Sequence, residues 1–199
     1  YDHQSRLPLL YKRGFTGNTY ITKGSYQFLQ DMLVDSARIN LRNSKALSKQ
    51  LNKEYPPAYT EDEVPAIMSH VIEVPIGAMV ELDDNFKFQF LGAGHIILSA
   101  QIVLYIGKTV IGYTGDIGNV ACGNPLAPSF EPIPKADLII GECTYGDPHQ
   151  KIATAKTREK DLEKLKAIIN NTISQKGKVL IPVFALDRLQ TMLTMLYEI

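Results

Sequence analysis

Two short stretches carry the residue types that could do chemistry. In Gly94-His95-Ile96-Ile97-Leu98-Ser99-Ala100 a histidine follows an apolar run, and in Tyr113-Thr114-Gly115-Asp116 an aspartate enters a glycine turn. Two strand-like runs, residues 100–106 and 109–114, separate them. That arrangement puts both side chains at strand ends on one rim, where open α/β sheets gather ligands. Imidazole and carboxylate together suit a cation such as zinc. The same two residues also read as a surface histidine and a turn aspartate, and taken alone they favour that plainer assignment. Further residues bear on the choice. Asp2 and His3 are adjacent near the start, and Glu142 ends the apolar run 137–141. His70 reads as a helix-end residue, His149 as a loop residue, and Cys143 as a small packed residue with no basic partner to activate it.

The elements that must position these residues follow from periodicity. Residues 1–10 suggest an apolar, proline-containing turn and 18–22 a short strand. Residues 25–39 keep one apolar helical face, and 41–55 continue as a polar, basic, helical excursion that Pro56-Pro57 ends. Thr60-Glu61-Asp62-Glu63 has the form of a capping box opening a helix toward His70. Strands are expected at 71–74, 78–82 and 86–91, with a turn at Asp83-Asp84-Asn85. The stretch 117–136 contains Pro125, Pro128, Pro132 and Pro134, and its length marks a functional or disordered segment. Beyond it come a buried-looking strand at 137–141 and an amphipathic helix at 154–175 with Leu162, Leu165, Ile168, Ile169 and Ile173 as its face. An apolar strand at 178–183 and a helix from 184 complete the order, which favours a parallel layer.

Composition sets the bounds. The 199 residues are 45% hydrophobic, enough for a sizeable core, and hold no apolar stretch of the ~18 residues a membrane span needs. Neither a signal peptide nor an initiating methionine is present, and the last residues lie in a helical pattern, so a fragment is expected. Two cysteines, Cys122 and Cys143, make neither a disulfide framework nor a metal-binding pair, which points to a reducing cytoplasm. Net charge is zero but unevenly spread. Residues 1–57 hold 9 Lys+Arg against 4 Asp+Glu, 58–147 hold 3 against 12, and 148–199 hold 9 against 5. An acidic middle between basic flanks suits cations at the centre and a polyanion around them; solvated faces give the same counts.

Five motifs in order resemble one family. Asp2-His3-Gln4-Ser5-Arg6-Leu7-Pro8-Leu9-Leu10 is similar to the tail of the His-x-His-x-Asp-His signature of the metallo-β-lactamase fold. Ala93-Gly94-His95-Ile96 with Ser99-Ala100 resembles the third metal motif, and Tyr113-Thr114-Gly115-Asp116-Ile117-Gly118 the fourth. Glu142-Cys143-Thr144-Tyr145-Gly146 and Ile181-Pro182-Val183-Phe184-Ala185-Leu186-Asp187-Arg188-Leu189-Gln190 resemble the β-CASP branch, which processes nucleic acids. There are three departures. Leu98 and Asp187 stand where the family usually has glycine, and Thr191 where it often has glutamate.

The resemblance implies a metallo-β-lactamase-type αββα sandwich over residues 1–150, lacking its N-terminal part, and the start of a β-CASP α/β domain over 151–199. It implies two divalent cations, zinc with manganese as the alternative, held by Asp2, His3, His95 and Asp116 with histidines beyond either end. Asp116 would bridge them. Asp2 and Glu142 are implied for catalysis, Glu142 by orienting a histidine or a leaving-group contact. Arg188 would meet phosphate, and Tyr145 would stack on a base of single-stranded RNA. The implied activity is a cytoplasmic ribonuclease, exonuclease or endonuclease, acting alone, as a homo-oligomer or in a processing complex. Residues 1–199 alone are expected to show little activity. The alternatives are a non-catalytic RNA-binding scaffold and a small-molecule hydrolase of the same fold. The retained ligands argue against the first, and Glu142 with residues 181–190 against the second.

Overall fold

A 26-residue helix and a five-stranded sheet dominate the chain, each in its own compact unit, Tyr1–Pro75 and Ile76–Ile199. The computed structural model describes residues 3–120, 123–147, 149 and 153–198. Asp2 and Cys122 lie outside the described residues.

The first unit holds α1 (Leu7–Lys12), β1 (Thr19–Thr22), α2 (Tyr26–Leu51), a 3-10 turn at Glu61–Glu63, α3 (Val64–Met68) and β2 (Val71–Val74). The opening is helical rather than a simple turn, because Pro8 occupies its first turn, where a missing N–H costs nothing. The apolar and basic stretches expected at 25–39 and 41–55 form one uninterrupted helix. It ends before the prolines, at Asn52 in the left-handed conformation. Leu29, Leu33 and Ala37 of α2 pack with Tyr59, Val64, Ile67 and Met68 into the core of this unit. The buried Tyr59 hydroxyl donates to the Leu33 carbonyl at 3.2 Å. The expected capping box is present: the Glu63 carboxylate accepts from the Thr60 amide at 2.8 Å. Strands β1 and β2 pair in parallel, Thr19 opposite Val71.

The second unit is built on β3 (Met79–Asp83), β4 (Phe86–Gly92), β5 (Ala100–Ile106), β6 (Thr109–Tyr113) and β7 (Leu138–Ile140), in that spatial order. Helices α4 (Ala155–Ser174) and α5 (Arg188–Glu198) follow. Neighbours β3 to β6 are antiparallel, and β7 is parallel to β6. Antiparallel pairing on both sides of β5 makes β4 and β6 run the same way, with β7 alongside. The C-terminal ends of β4, β6 and β7 therefore share one rim. Phe88, Phe90, Leu91 and Val103 are buried, and the Phe88 and Phe90 rings meet edge to face.

The proline-rich stretch 117–136 is ordered over its described part. Its Glu131 amide donates to the Gly92 carbonyl at 2.9 Å, and its Glu131 carboxylate accepts from the Gly92 amide at 3.0 Å. Buried Gln101 donates to the carbonyls of both Gly92 and Glu131. Gly92 has to be glycine for this approach, since a Cβ there would lie 2.0 Å from the Ser129 carbonyl oxygen.

Two further expectations change. Strand β7, expected to be buried, lies at the sheet edge with Leu138, Ile139 and Ile140 each about half exposed. Residues 178–183 form no strand. Apolar composition alone does not make one, and no strand among the described residues pairs with them to satisfy their backbone groups. Helix α4 buries no residue completely; Leu162 and Leu165 are half-buried, whereas Ile168 and Ile173 are exposed. No helix among the described residues is long and apolar enough to cross a membrane.

Candidate active site

Three loops leave the shared rim, and each carries one of the residues picked out by type. His95 follows β4, Asp116 follows β6 and Glu142 follows β7. The His95 loop is a tight turn organised by Ser99, whose hydroxyl oxygen accepts from the amides of both His95 and Ile96 at 3.1 Å. Closing it takes a left-handed residue, and that residue is Leu98 at φ 62°. Glycine adopts this conformation freely while leucine is strained there, which explains physically why glycine is usual at this place.

The Asp116 loop is tied to β7 by the Thr114 amide, which donates to the Ile140 carbonyl at 3.0 Å. The Thr114 hydroxyl oxygen accepts from the Glu142 amide at 3.3 Å. Gly118 then passes directly over the His95 loop and donates to the Ala93 carbonyl at 2.9 Å. Together these contacts bring His95 Nε2 to 3.7 Å from Asp116 Oδ2. That is long for a direct hydrogen bond. It suits two ligands of one cation, each at ~2.0–2.2 Å from it. Both side chains are partly open to solvent. Among the described residues no group of three or more His, Cys, Asp or Glu converges. His3 lies in the first unit, just ahead of α1.

Glu142 acts on the backbone. Its carboxylate accepts from the amide of Ile117, the residue after Asp116, and from Thr144. The Thr144 hydroxyl first, then the Ile117 amide, hold its carboxyl below the ordinary range near 4.5, and burial opposes them. A depressed carboxyl contributes stability above its unfolded value that is lost as pH falls through the folded one. Glu142→Gln is thus expected to flatten the acid limb of stability against pH below about 4.5. Far-UV circular dichroism during acid titration measures this, and an unchanged limb would contradict it.

A cleft of about 1070 Å³ opens beside these loops in the second unit. His95, Asp116, Glu142, Tyr145 and Arg188 all line it, with Leu162 and Leu165 of α4 as an apolar wall. Tyr145 is exposed, and the Arg188 guanidinium stands 3.9 Å from Asp187. Gly118 and Asn124 also matter, although residue type alone does not single them out. Gly118 sits inside the Asp116 motif, and Asn124 in the proline-rich stretch has no local signal. Asp187, conspicuous in the sequence only as a departure from glycine, is 1% exposed and sits at φ 68°.

No protein-family model matches the chain. Ribonuclease TTHA0252 of Thermus thermophilus is 33% identical over 198 residues, 98% of this chain and 40% of that protein. Transcription termination factor FttA of Methanocaldococcus jannaschii is 28% identical over 199 residues, 99% of this chain and 29% of that protein. An RNase J-like protein of the same organism is 38% identical over 136 residues, 68% of this chain and 31% of its own length. The chain thus spans well under half the length of these curated relatives.

Proposed function

This chain belongs to the β-CASP nuclease family of the metallo-β-lactamase superfamily, and from that premise we propose that its protein is a metal-dependent hydrolase of RNA phosphodiesters. The observation that carries the reading is the 3.7 Å approach of His95 Nε2 to Asp116 Oδ2 on the wall of a cleft that also presents Arg188. His95 and Asp116 are proposed as ligands, completed by Asp2, His3 and histidines outside this sequence. The cations are two, zinc or manganese. When bound, they supply an acidified water as nucleophile and neutralise charge that builds on the phosphoryl oxygens.

This chain's own residues do the rest. His95 must be neutral to ligate, so binding weakens as pH falls. Asp116 offers two oxygens, which suits a bridging position. Glu142 holds the Ile117 amide and so fixes the turn on which Asp116 sits. That is a positioning task, one residue away from the ligand. Arg188 pairs with a phosphate of single-stranded RNA, and Tyr145 offers its ring to a base. The reading includes a metallo-β-lactamase-type αββα sandwich over residues 1–150, a β-CASP portion over 151–199, and work in the cytoplasm.

Metal analysis of the intact protein, with cleavage assays on 5′-phosphorylated RNA and nitrocefin, tests the proposal. Bound zinc or manganese with RNA cleavage is expected. RNA binding without metal or cleavage would make it a scaffold instead. Nitrocefin turnover without RNA cleavage would make it a small-molecule hydrolase.

A further inference from the structure

We propose that Asp187 and Asn124 form a clamp that positions His95. Asp187 lies at the start of α5, far along the chain from the His95 loop, yet its carboxylate accepts from the Ile97 amide at 2.8 Å. Asn124 Nδ2 donates to the Asp187 carboxylate at 3.0–3.1 Å and to the His95 carbonyl at 3.1 Å. The pair therefore grips the loop on both sides of Ile96, at the carbonyl of residue 95 and the amide of residue 97.

The clamp is itself anchored. Asn124 Oδ1 accepts from the Leu126 amide at 3.0 Å and from the Thr191 hydroxyl at 3.5 Å, and the Thr191 amide donates to the Asp187 carbonyl at 2.8 Å. A carboxylate with its side chain fully buried is costly unless donors meet it, and here the donors are a backbone amide of the His95 loop and the Asn124 amide. Asp187 also holds φ 68°, a conformation that glycine would adopt without strain. The loop it grips contains the strained Leu98. A loop closed through a left-handed leucine has a stiff, disfavoured turn. Tethers on either side keep that turn shut and hold the imidazole toward Asp116.

The functional consequence rests on reading His95 as a metal ligand; the clamp itself does not. Both are read in one set of variants of the intact protein: Asp187→Gly, Asn124→Ala, Asp187→Asn, and, as a control, Thr194→Ala on α5, whose hydroxyl donates to the Gln190 carbonyl of the same helix. Asp187→Gly removes the carboxylate while easing the backbone, so it keeps the fold. Equilibrium dialysis against Zn²⁺ and amide hydrogen exchange are measured on each. Asp187→Gly and Asn124→Ala are expected to weaken zinc binding tenfold or more and to speed exchange at residues 95–99 while leaving β4 to β6 unchanged. Asp187→Asn retains an oxygen for the Ile97 amide and should recover most of both losses. Wild-type exchange at 95–99 in Asp187→Gly and Asn124→Ala would overturn the clamp. So would exchange that rises equally across the sheet, which marks general destabilisation. If the wild type binds no Zn²⁺, the metal reading fails, and the exchange at 95–99 still decides the clamp by the same two outcomes.

Discussion

Gly118→Ala should destabilise the second unit by about 3 kcal/mol or more, as overpacking does where nothing can yield. A Cβ at residue 118 would lie 1.7 Å from the Gly94 carbonyl oxygen, 2.1 Å from its carbon and 2.7 Å from the His95 nitrogen. All three are backbone atoms, so no rotamer change relieves the clash. The chain has to open the hydrogen bond from the Gly118 amide to Ala93 and spread the His95 loop from the Asp116 loop. Two losses should therefore appear together, a lower urea midpoint and weaker binding of zinc. Far-UV circular dichroism reports the first, since the chain has no tryptophan. Gly107→Ala is the informative comparison. Gly107 sits at φ 58° with open space around it, so alanine there meets backbone strain alone, about 1 kcal/mol. Equal effects at the two positions would refute the steric account.

Asp116→Asn is expected to remove metal binding and to lower kcat/KM for RNA by about a thousandfold or more. The several kcal/mol that cations contribute to phosphoryl transfer convert to that factor. Asparagine keeps the size and hydrogen-bonding shape of the side chain but removes the charge and one of the two equivalent oxygens. About half of the Asp116 side chain is exposed, so stability should shift by no more than about 0.5 kcal/mol. Metal content per chain, steady-state kinetics on 5′-phosphorylated RNA and thermal denaturation separate these effects. Wild-type cleavage by Asp116→Asn would remove Asp116 from the mechanism. A collapse of stability would show that its role is structural.

The contrast between the two residues shows where sequence reasoning reaches. Asp116 is legible because its chemistry is written in its type, and because a strand-like run entering a glycine turn places it at a strand end. The strand at 100–106, the capping box at Thr60 and the stop before Pro56 are legible for the same reason: each depends on residues a few positions apart. Gly118 is not legible as a contact, because its partner Gly94 becomes a neighbour only when β4 and β6 are aligned on either side of β5. Asp187 shows the limit most clearly. In the sequence it is an aspartate where glycine is usual; in the fold it is a buried acceptor for the loop that carries His95.

Exposure follows the same division. Apolar runs at 138–140 and 178–183 look alike in sequence, yet one is an edge strand and the other forms none, because strand formation depends on a partner from elsewhere in the chain. By itself, the sequence determined the family, the local elements and the residue types at the rim, since these depend on composition and short-range spacing. The spacing also placed His95 and Asp116 on one rim; only the tertiary structure decided that His95 faces Asp116 at 3.7 Å and which distant side chains hold them there. Those facts depend on strand direction and on close packing between segments as much as 90 residues apart, which no local pattern encodes.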